Sequence, residues 1–117
     1  MRKLDDINIG IYEKALPKNI SWEERIKLVK ECGYDFMEIS IDETDERLAR
    51  LEYSKEEIKE IRDYLLDADV RIPSMCFSGH RRFPMGSMSQ ETRDKAMELM
   101  EKAIVFADRL GIRTIQL

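Results

Sequence analysis

The feature that most constrains this chain is a repeated pattern of helix stops. Gly33, Asp69 and Gly111 each end a stretch with helical spacing of apolar residues. Each also stands five positions before a polar residue of a short alternating segment: Glu38, Ser74 and Gln116. From Gly33 to Asp69 is 36 positions, and from Asp69 to Gly111 is 42. Those lengths are close to one strand–helix unit of an eight-stranded barrel of about 250 residues. Repeated units of this kind imply parallel strands joined by right-handed crossovers. The expected order is β-α-β-α-β-α-β.

Local signals agree with that order. Residues 7–11 alternate Ile7, Ile9 and Ile11 with Asn8 and Gly10, as a strand does. Ser21 with Glu24, and Ser54 with Glu57, have the spacing of capping boxes, in which each side chain satisfies a backbone donor of the other residue. Trp22, Ile26 and Val29 share one helical face, as do Ile58, Ile61 and Leu65. Ser89 opens a third long helix, with Met97, Met100, Ile104 and Ala107 as its expected buried face. The third strand falls near residues 71–77, where Pro73 calls for a bulge or a strand start. The fourth starts near Arg113 and reads as a buried strand. Residues 1–117 are expected to be one partial barrel domain that stops at this fourth strand.

Met37, Ile39 and Ile41 are expected to face the helices, leaving Glu38, Ser40 and Asp42 on the opposite side. On the fourth strand Ile115 and Leu117 would face the helices and Gln116 the interior. A doubly wound sheet covers both faces with helices and needs nearly continuous apolar strands. Inward Glu, Ser and Gln fit the mouth of a barrel better. An open flavodoxin-like sheet is the alternative.

The composition excludes several classes. A net charge of −4 lacks the basic footprint of a general nucleic-acid binder. No apolar run approaches the ~20 residues of a membrane span, and residues 1–6 lack a secretory apolar region. A cytoplasmic location is expected. Cys32 and Cys76 lie far apart within apolar segments and are expected to be reduced core residues. One histidine and no close cysteine pair leave no local zinc motif. P-loop, GxGxxG, nucleophile-elbow and HExxH patterns are absent from the sequence.

Three places could carry chemistry. Tyr12, Glu13 and Lys14 follow the first strand, where they could bind a polyol or an anion, or form a solvated strand end with a local Glu13–Lys14 balance. Gly10 before them allows close approach of a substrate or a neighbouring strand. Glu38 is an inward carboxylate that could position substrate hydroxyls, orient another side chain or ligate a metal. Its bland alternative is a core glutamate paired with Arg or Lys, and either way burial demands a partner. The loop of residues 78–87 sets His80 beside Arg81 and Arg82, whose planar forks suit phosphate or carboxylate. Alternatively, those arginines pair with the acidic stretch Asp42, Glu43, Asp45 and Glu46.

Residues 10–17 (GIYEKALP), 36–45 (FMEISIDETD), 73–84 (PSMCFSGHRRFP) and 112–117 (IRTIQL) are similar to the L-ribulose-5-phosphate 3-epimerases, also called L-xylulose-5-phosphate 3-epimerases. The resemblance spans nearly the whole chain. It implies the N-terminal half of a xylose-isomerase-like (β/α)8 barrel that acts in pentose phosphate metabolism and routes such as L-ascorbate degradation. The implied reaction inverts C3 of a ketopentose 5-phosphate. A divalent metal, Zn or Mn, polarises the C2 carbonyl, and two glutamates exchange the C3 proton. In that family the metal ligands and both catalytic glutamates come from later strands, so no catalytic or metal-binding residue maps onto this chain. This chain alone is then expected to hold no metal and to be inactive. The resemblance leaves Tyr12, Glu13, Lys14, Glu38, His80, Arg81 and Arg82 as substrate-facing or phosphate-facing positions, a placement inferred from their location. The other class considered is a small α/β binding or assembly module. In both, a homo-oligomer that covers the fourth strand is expected, because an exposed strand edge invites pairing.

Overall fold

The computed structural model describes residues 7–117, and residues 1–6 lie outside the described residues. Four strands, β1 (Gly10–Tyr12), β2 (Phe36–Ser40), β3 (Arg71–Cys76) and β4 (Thr114–Gln116), form one parallel sheet. Their order is β1-β2-β3-β4. A flavodoxin-like sheet would place its second strand outside the first, so the sequential order selects the barrel arrangement. β1 is shorter than the alternation predicts: Ile7 and Ile9 are exposed, and the backbone of Ile9 bonds to Asp35 just ahead of the strand.

Helices α1 (Trp22–Glu31), α2 (Asp45–Leu48), α3 (Lys55–Ala68) and α4 (Gln90–Leu110) connect the strands, with a 3-10 turn at Ala49–Glu52 after α2. Ser54 and Glu57 close a full capping box, whereas Ser21 Oγ accepts from the Glu24 N–H without a return bond from Glu24. Ser89 Oγ caps α4 through the Thr92 N–H. The three helix stops adopt one geometry. Gly33, Asp69 and Gly111 have φ of 85°, 53° and 84°. The N–H of the next residue reaches back five positions in each case: Tyr34 to Val29, Val70 to Leu65 and Ile112 to Ala107, at 3.1, 3.0 and 2.8 Å. This is the Schellman closure, which satisfies carbonyls that the helix end leaves open.

The core lies between the sheet and these helices. Ile26, Val29, Met37, Ile39, Ile41, Met75 and Ala103 are fully buried. On α4 the buried stripe is Ala96, Leu99, Ala103, Phe106, Ala107 and Leu110, while Met97 and Ile104 are more than half exposed. Two stripes interleave on this helix. The one carrying alanines packs inward because a small side chain lets the backbone approach closely. Met100 is half-buried against the core, and Ala107 is buried as expected. Cys32 also departs from expectation: it is the exposed C-cap of α1, and both cysteines are free.

The register is staggered where Pro73 sits. Phe36 opposes Arg71, but Glu38 opposes Ser74, which gives β3 one extra residue there. Ser74 then opposes Thr114, and Gln116 opposes Cys76, so the five-residue spacing does not carry into the register between β3 and β4. Such stagger is what tilted barrel strands require. Ile115 packs on the core, whereas Thr114, Gln116 and Leu117 are exposed. The strand expected to be buried is an exposed edge among the described residues.

Asp69 is the one non-glycine residue at positive φ among the described residues. That conformation costs an L-residue about 1–2 kcal/mol, partly offset by the lower backbone entropy cost of a non-glycine residue. Asp69→Gly is expected to stabilise the fold by about 1 kcal/mol and to raise the melting temperature by about 4 °C. Gly111→Ala is expected to lower it. Thermal denaturation followed by circular dichroism checks both.

Candidate functional site

Strand alternation divides the side chains into two sets. Ile11, Met37, Ile39, Met75 and Ile115 face the helices. The register aligns Tyr12, Glu38, Ser74 and Thr114 in one row on the other face, with Ser40, Cys76 and Gln116 forming the next row toward the strand ends. Every side chain in these two rows can donate or accept a hydrogen bond. Ser74 Oγ donates to Glu38 Oε2 at 2.6 Å. Glu38 is half-buried, and the partner its burial demands is this hydroxyl rather than an arginine or lysine. The Tyr12 phenol is pushed above its ordinary pKa, first by burial, and it lies close to Ser40 and Cys76. Ser40 is fully buried, and its Oγ has no hydrogen-bond partner among the described residues.

Gly10 serves the neighbouring strand rather than a ligand, because a Cβ there would clash with the Phe36 ring. Phe36 is its register partner.

Glu13 is neither a solvated strand end nor a free ligand group. It opens a 3-10 turn, Glu13–Ala15, and is 1% exposed. Arg50 grips it with two bonds, Nη1 to Oε1 at 2.7 Å and Nη2 to Oε2 at 2.6 Å. Arg47 Nη1 lies 3.1 Å from Oε1, and Arg25 Nε lies 3.4 Å from Oε2. The Ser40 N–H donates to Oε1 at 3.0 Å, while Arg47 and Arg50 both donate to the Ser40 carbonyl. The carboxylate thus completes the ladder beyond the end of β1. Burial alone would raise the Glu13 pKa, but the Arg50 bonds and charge, the Ser40 N–H and Arg47 outweigh it and hold the pKa low. Arg25 is pushed down by burial and by the charges of Arg50 and Arg47, against the pull of Glu13. Trp22 packs beside this cluster, its ring centroid 4.6 Å from the Arg50 guanidinium and 4.9 Å from that of Arg25.

Lys14 pairs across the loops with Asp42 at 3.0 Å, not with Glu13. Asp42 also accepts from the Thr44 hydroxyl and N–H. Burial would raise the Asp42 pKa, but Thr44 and Lys14 lower it to about 2. Lys14, Lys18, Asp42, Thr44, Arg47 and Arg50 line a cleft of about 220 Å3. After β3, Ser78–Arg82 winds into a 3-10 turn. The Gly79 N–H donates to the Ile41 carbonyl at 2.9 Å, and a Cβ on Gly79 would meet the Asp42 carbonyl oxygen at 2.8 Å. Arg82 pairs with Asp45 and donates to the Glu43 carbonyl, so this arginine does bind the acidic stretch. His80 is half-buried 6.3 Å from the Phe77 ring, and Arg81 is exposed.

The seven expected site residues therefore fall into separate groups. Tyr12 and Glu38 line the open face of the sheet, Lys14 sits on the rim, and Glu13 is internal scaffolding. His80, Arg81 and Arg82 form a rim turn tied to the β2 loop. Sequence reasoning missed Arg25, Arg47 and Arg50, for which no spacing signal exists, and Ser74, which alternation with Met75 does indicate. Among the described residues no three His, Cys, Asp or Glu side chains come together as a metal-ligand group. The resemblance assigns the ligands of its divalent metal to later strands rather than to these residues.

A family model described as the xylose isomerase-like TIM barrel matches residues 26–117. The chain is 55% identical over 109 residues to a protein of Haemophilus influenzae provisionally named an L-ribulose-5-phosphate 3-epimerase, covering 93% of this chain and 38% of that one. It is 52% identical over 111 residues to an L-ribulose-5-phosphate 3-epimerase of Shigella boydii, covering 95% and 39%. The chain thus spans under two-fifths of the length of these relatives. A crystal structure of D-psicose 3-epimerase in the presence of D-fructose superposes with a TM-score of 0.75 at 20% identity, over 93% of this chain and 36% of that one. At that identity the likeness concerns the fold.

Removing the Glu13 charge would leave three guanidiniums buried around a neutral group. Glu13→Ala is expected to cost about 3–5 kcal/mol in chemical denaturation. The folded pKa values of Glu13 and Asp42 are both depressed. Their contribution to stability is therefore complete above the ordinary carboxylate range and is lost as pH falls through the folded values. For Asp42 that window runs from its ordinary 3.8 down to about 2. Acid titration of the melting temperature should show the loss, and Asp42→Asn should flatten the profile in that window.

Proposed function

The chain belongs to the xylose isomerase-like TIM barrel family, and from that membership we propose that it forms the N-terminal, substrate-holding part of a sugar-phosphate 3-epimerase. The reaction would interconvert L-xylulose 5-phosphate and L-ribulose 5-phosphate by metal-assisted proton transfer at C3. The observation that carries this proposal is 52–55% identity across 93–95% of the chain to relatives named for L-ribulose-5-phosphate 3-epimerisation. The polar row on the open sheet face supports it. Glu38 and Ser74 would hold substrate hydroxyls, since an ionised carboxylate accepts bonds through two oxygens and Ser74 occupies only one of them. Tyr12 would pack against the carbon skeleton. Lys14, His80, Arg81 and Arg82 sit in the loops after the strands, where a barrel gathers its site, and would face the phosphate.

Inverting C3 requires a base on one face of the carbon and an acid on the other. The inner rows described here contain one carboxylate, Glu38, so the chain's own contribution is binding and orientation rather than proton exchange. Any divalent metal would need ligands beyond those the described residues bring together. The expected result is no turnover of L-ribulose 5-phosphate by the 117-residue chain with added Mn2+ or Zn2+. Robust turnover would sink the division of labour proposed here. The chain is expected to bind the sugar phosphate weakly, and Glu38→Gln should weaken that binding about tenfold by calorimetry, roughly the loss of one charge-assisted hydrogen bond.

A second reading is an assembly module that pairs through β4, whose Thr114 and Gln116 side chains are exposed among the described residues. Light scattering at high concentration should then show a dimer or larger species. A clean monomer would count against pairing through β4 in either reading.

A further inference from the structure

At the end of the sheet opposite the rim loops, a cavity of about 400 Å3 opens between the C-terminal parts of α3 and α4. That size lies within the range of small-molecule sites. Leu65, Val70 and Leu110 of the core form its floor, and Arg62, Arg71 and Arg113 stand around it. Among the described residues no acidic side chain lines it. None of the three arginines enters an ion pair among the described residues. Guanidinium hydrogen bonds are made instead by Arg25, Arg47, Arg50, Arg82 and Arg93. Among the described residues, these three guanidiniums thus line one cavity with no carboxylate at ion-pair distance.

Helix ends alone do not explain it. Arginines near a C-terminus can serve the helix dipole and its open carbonyls. Here the Leu65 and Ala107 carbonyls are already taken by the Val70 and Ile112 N–H groups. Arg71 and Arg113 occupy the same position in consecutive units, each two residues past the left-handed cap. The Arg113 N–H donates to the Pro73 carbonyl at 3.0 Å, which sets the start of β4 beside that of β3. The lining residues all lie between α3 and the start of β4, so two adjacent units complete the cavity. Arg71 lies about 17 Å along β3 from Cys76, at 3.3 Å per residue, and so is well separated from the rim.

We propose that this cavity binds an organic phosphate monoester with an apolar body. Its dianionic head would be held by the forks of Arg62, Arg71 and Arg113 and its carbon skeleton would lie on Leu65, Val70 and Leu110. Three guanidiniums match a dianion with three acceptor oxygens better than a single carboxylate. The apolar floor distinguishes the ligand from a polyhydroxylated sugar phosphate, and the inference does not rest on the epimerase reading.

The test is titration of the 15N-labelled chain with phenyl phosphate, followed through amide shifts. Perturbation of Val70, Arg71, Ile112 and Arg113 is expected, with inorganic phosphate about tenfold weaker. The double variant R71Q/R113Q changes two exposed side chains, so its melting temperature should hold while the phenyl phosphate Kd rises at least tenfold. Shifts confined to residues 12–16, 42–47 and 78–82 would overturn the proposal. An unchanged Kd in the double variant, or equally tight binding of phenol, would also overturn it. Because the rim and the cavity report through different amides, failure here is separable from failure of sugar-phosphate binding.

Discussion

The end of the sheet depends on one buried carboxylate. β1 runs for three residues and stops one position short of where β2 still needs a partner. Glu13 supplies that partner with its side chain, accepting the Ser40 N–H that a longer strand would have bonded. The cost of burying that charge is met by Arg50, Arg47 and Arg25, which come from the turn after α2, from α2 and from α1. Arg47 and Arg50 also satisfy the Ser40 carbonyl. The orientation of α1, the path of the β2 loop and the direction of Tyr12 are thereby fixed together. Breaking such a pair costs much more than the pair contributes against a well-packed apolar alternative. Its value lies in specifying one arrangement of three segments.

That anchoring separates scaffold from surface among residues that look alike in sequence. Glu13 and Lys14 are neighbours, yet Glu13 points into the molecule and Lys14 to the rim, where Asp42 holds it. Asp42 in turn is held by Thr44, the N-cap of α2. The β2 loop closes over the turn after β3 at Gly79, where no side chain would fit. The rim therefore behaves as one connected piece of structure, with Arg82 fastening its outer edge.

Much of this architecture was legible in the sequence where a signal depends on one residue and its near neighbours. Ser54 with Glu57, the caps at Gly33, Asp69 and Gly111, and the alternation of Met37, Ile39 and Ile41 all have that character. Legibility failed where two local solutions were nearly equal. On α4 the stripe through Met97 and Ile104 has larger apolar side chains, but the alanine stripe packs more closely, and only tertiary contact decides between them. It failed again for Arg25, Arg47 and Arg50, whose meeting at Glu13 spans up to 37 positions. An arginine carries no mark in the sequence of whether its fork will meet solvent or a buried carboxylate. The inward row of Tyr12, Glu38 and Ser74 lay between these cases, since alternation gave the face and the bulge at Pro73 set the alignment.

The sequential strand order also bears on how the chain reaches this state. Each strand pairs with the strand before it, and α1 packs on α3 as α3 packs on α4. Among the described residues, each unit after the first docks on the unit that precedes it. Loop closure over a single unit is entropically mild. The buried Glu13 cluster uses residues no later than Arg50, so the first two strands can be locked before α3 is complete. Because strand neighbours are sequence neighbours, the contacts that join consecutive units close only short stretches of chain.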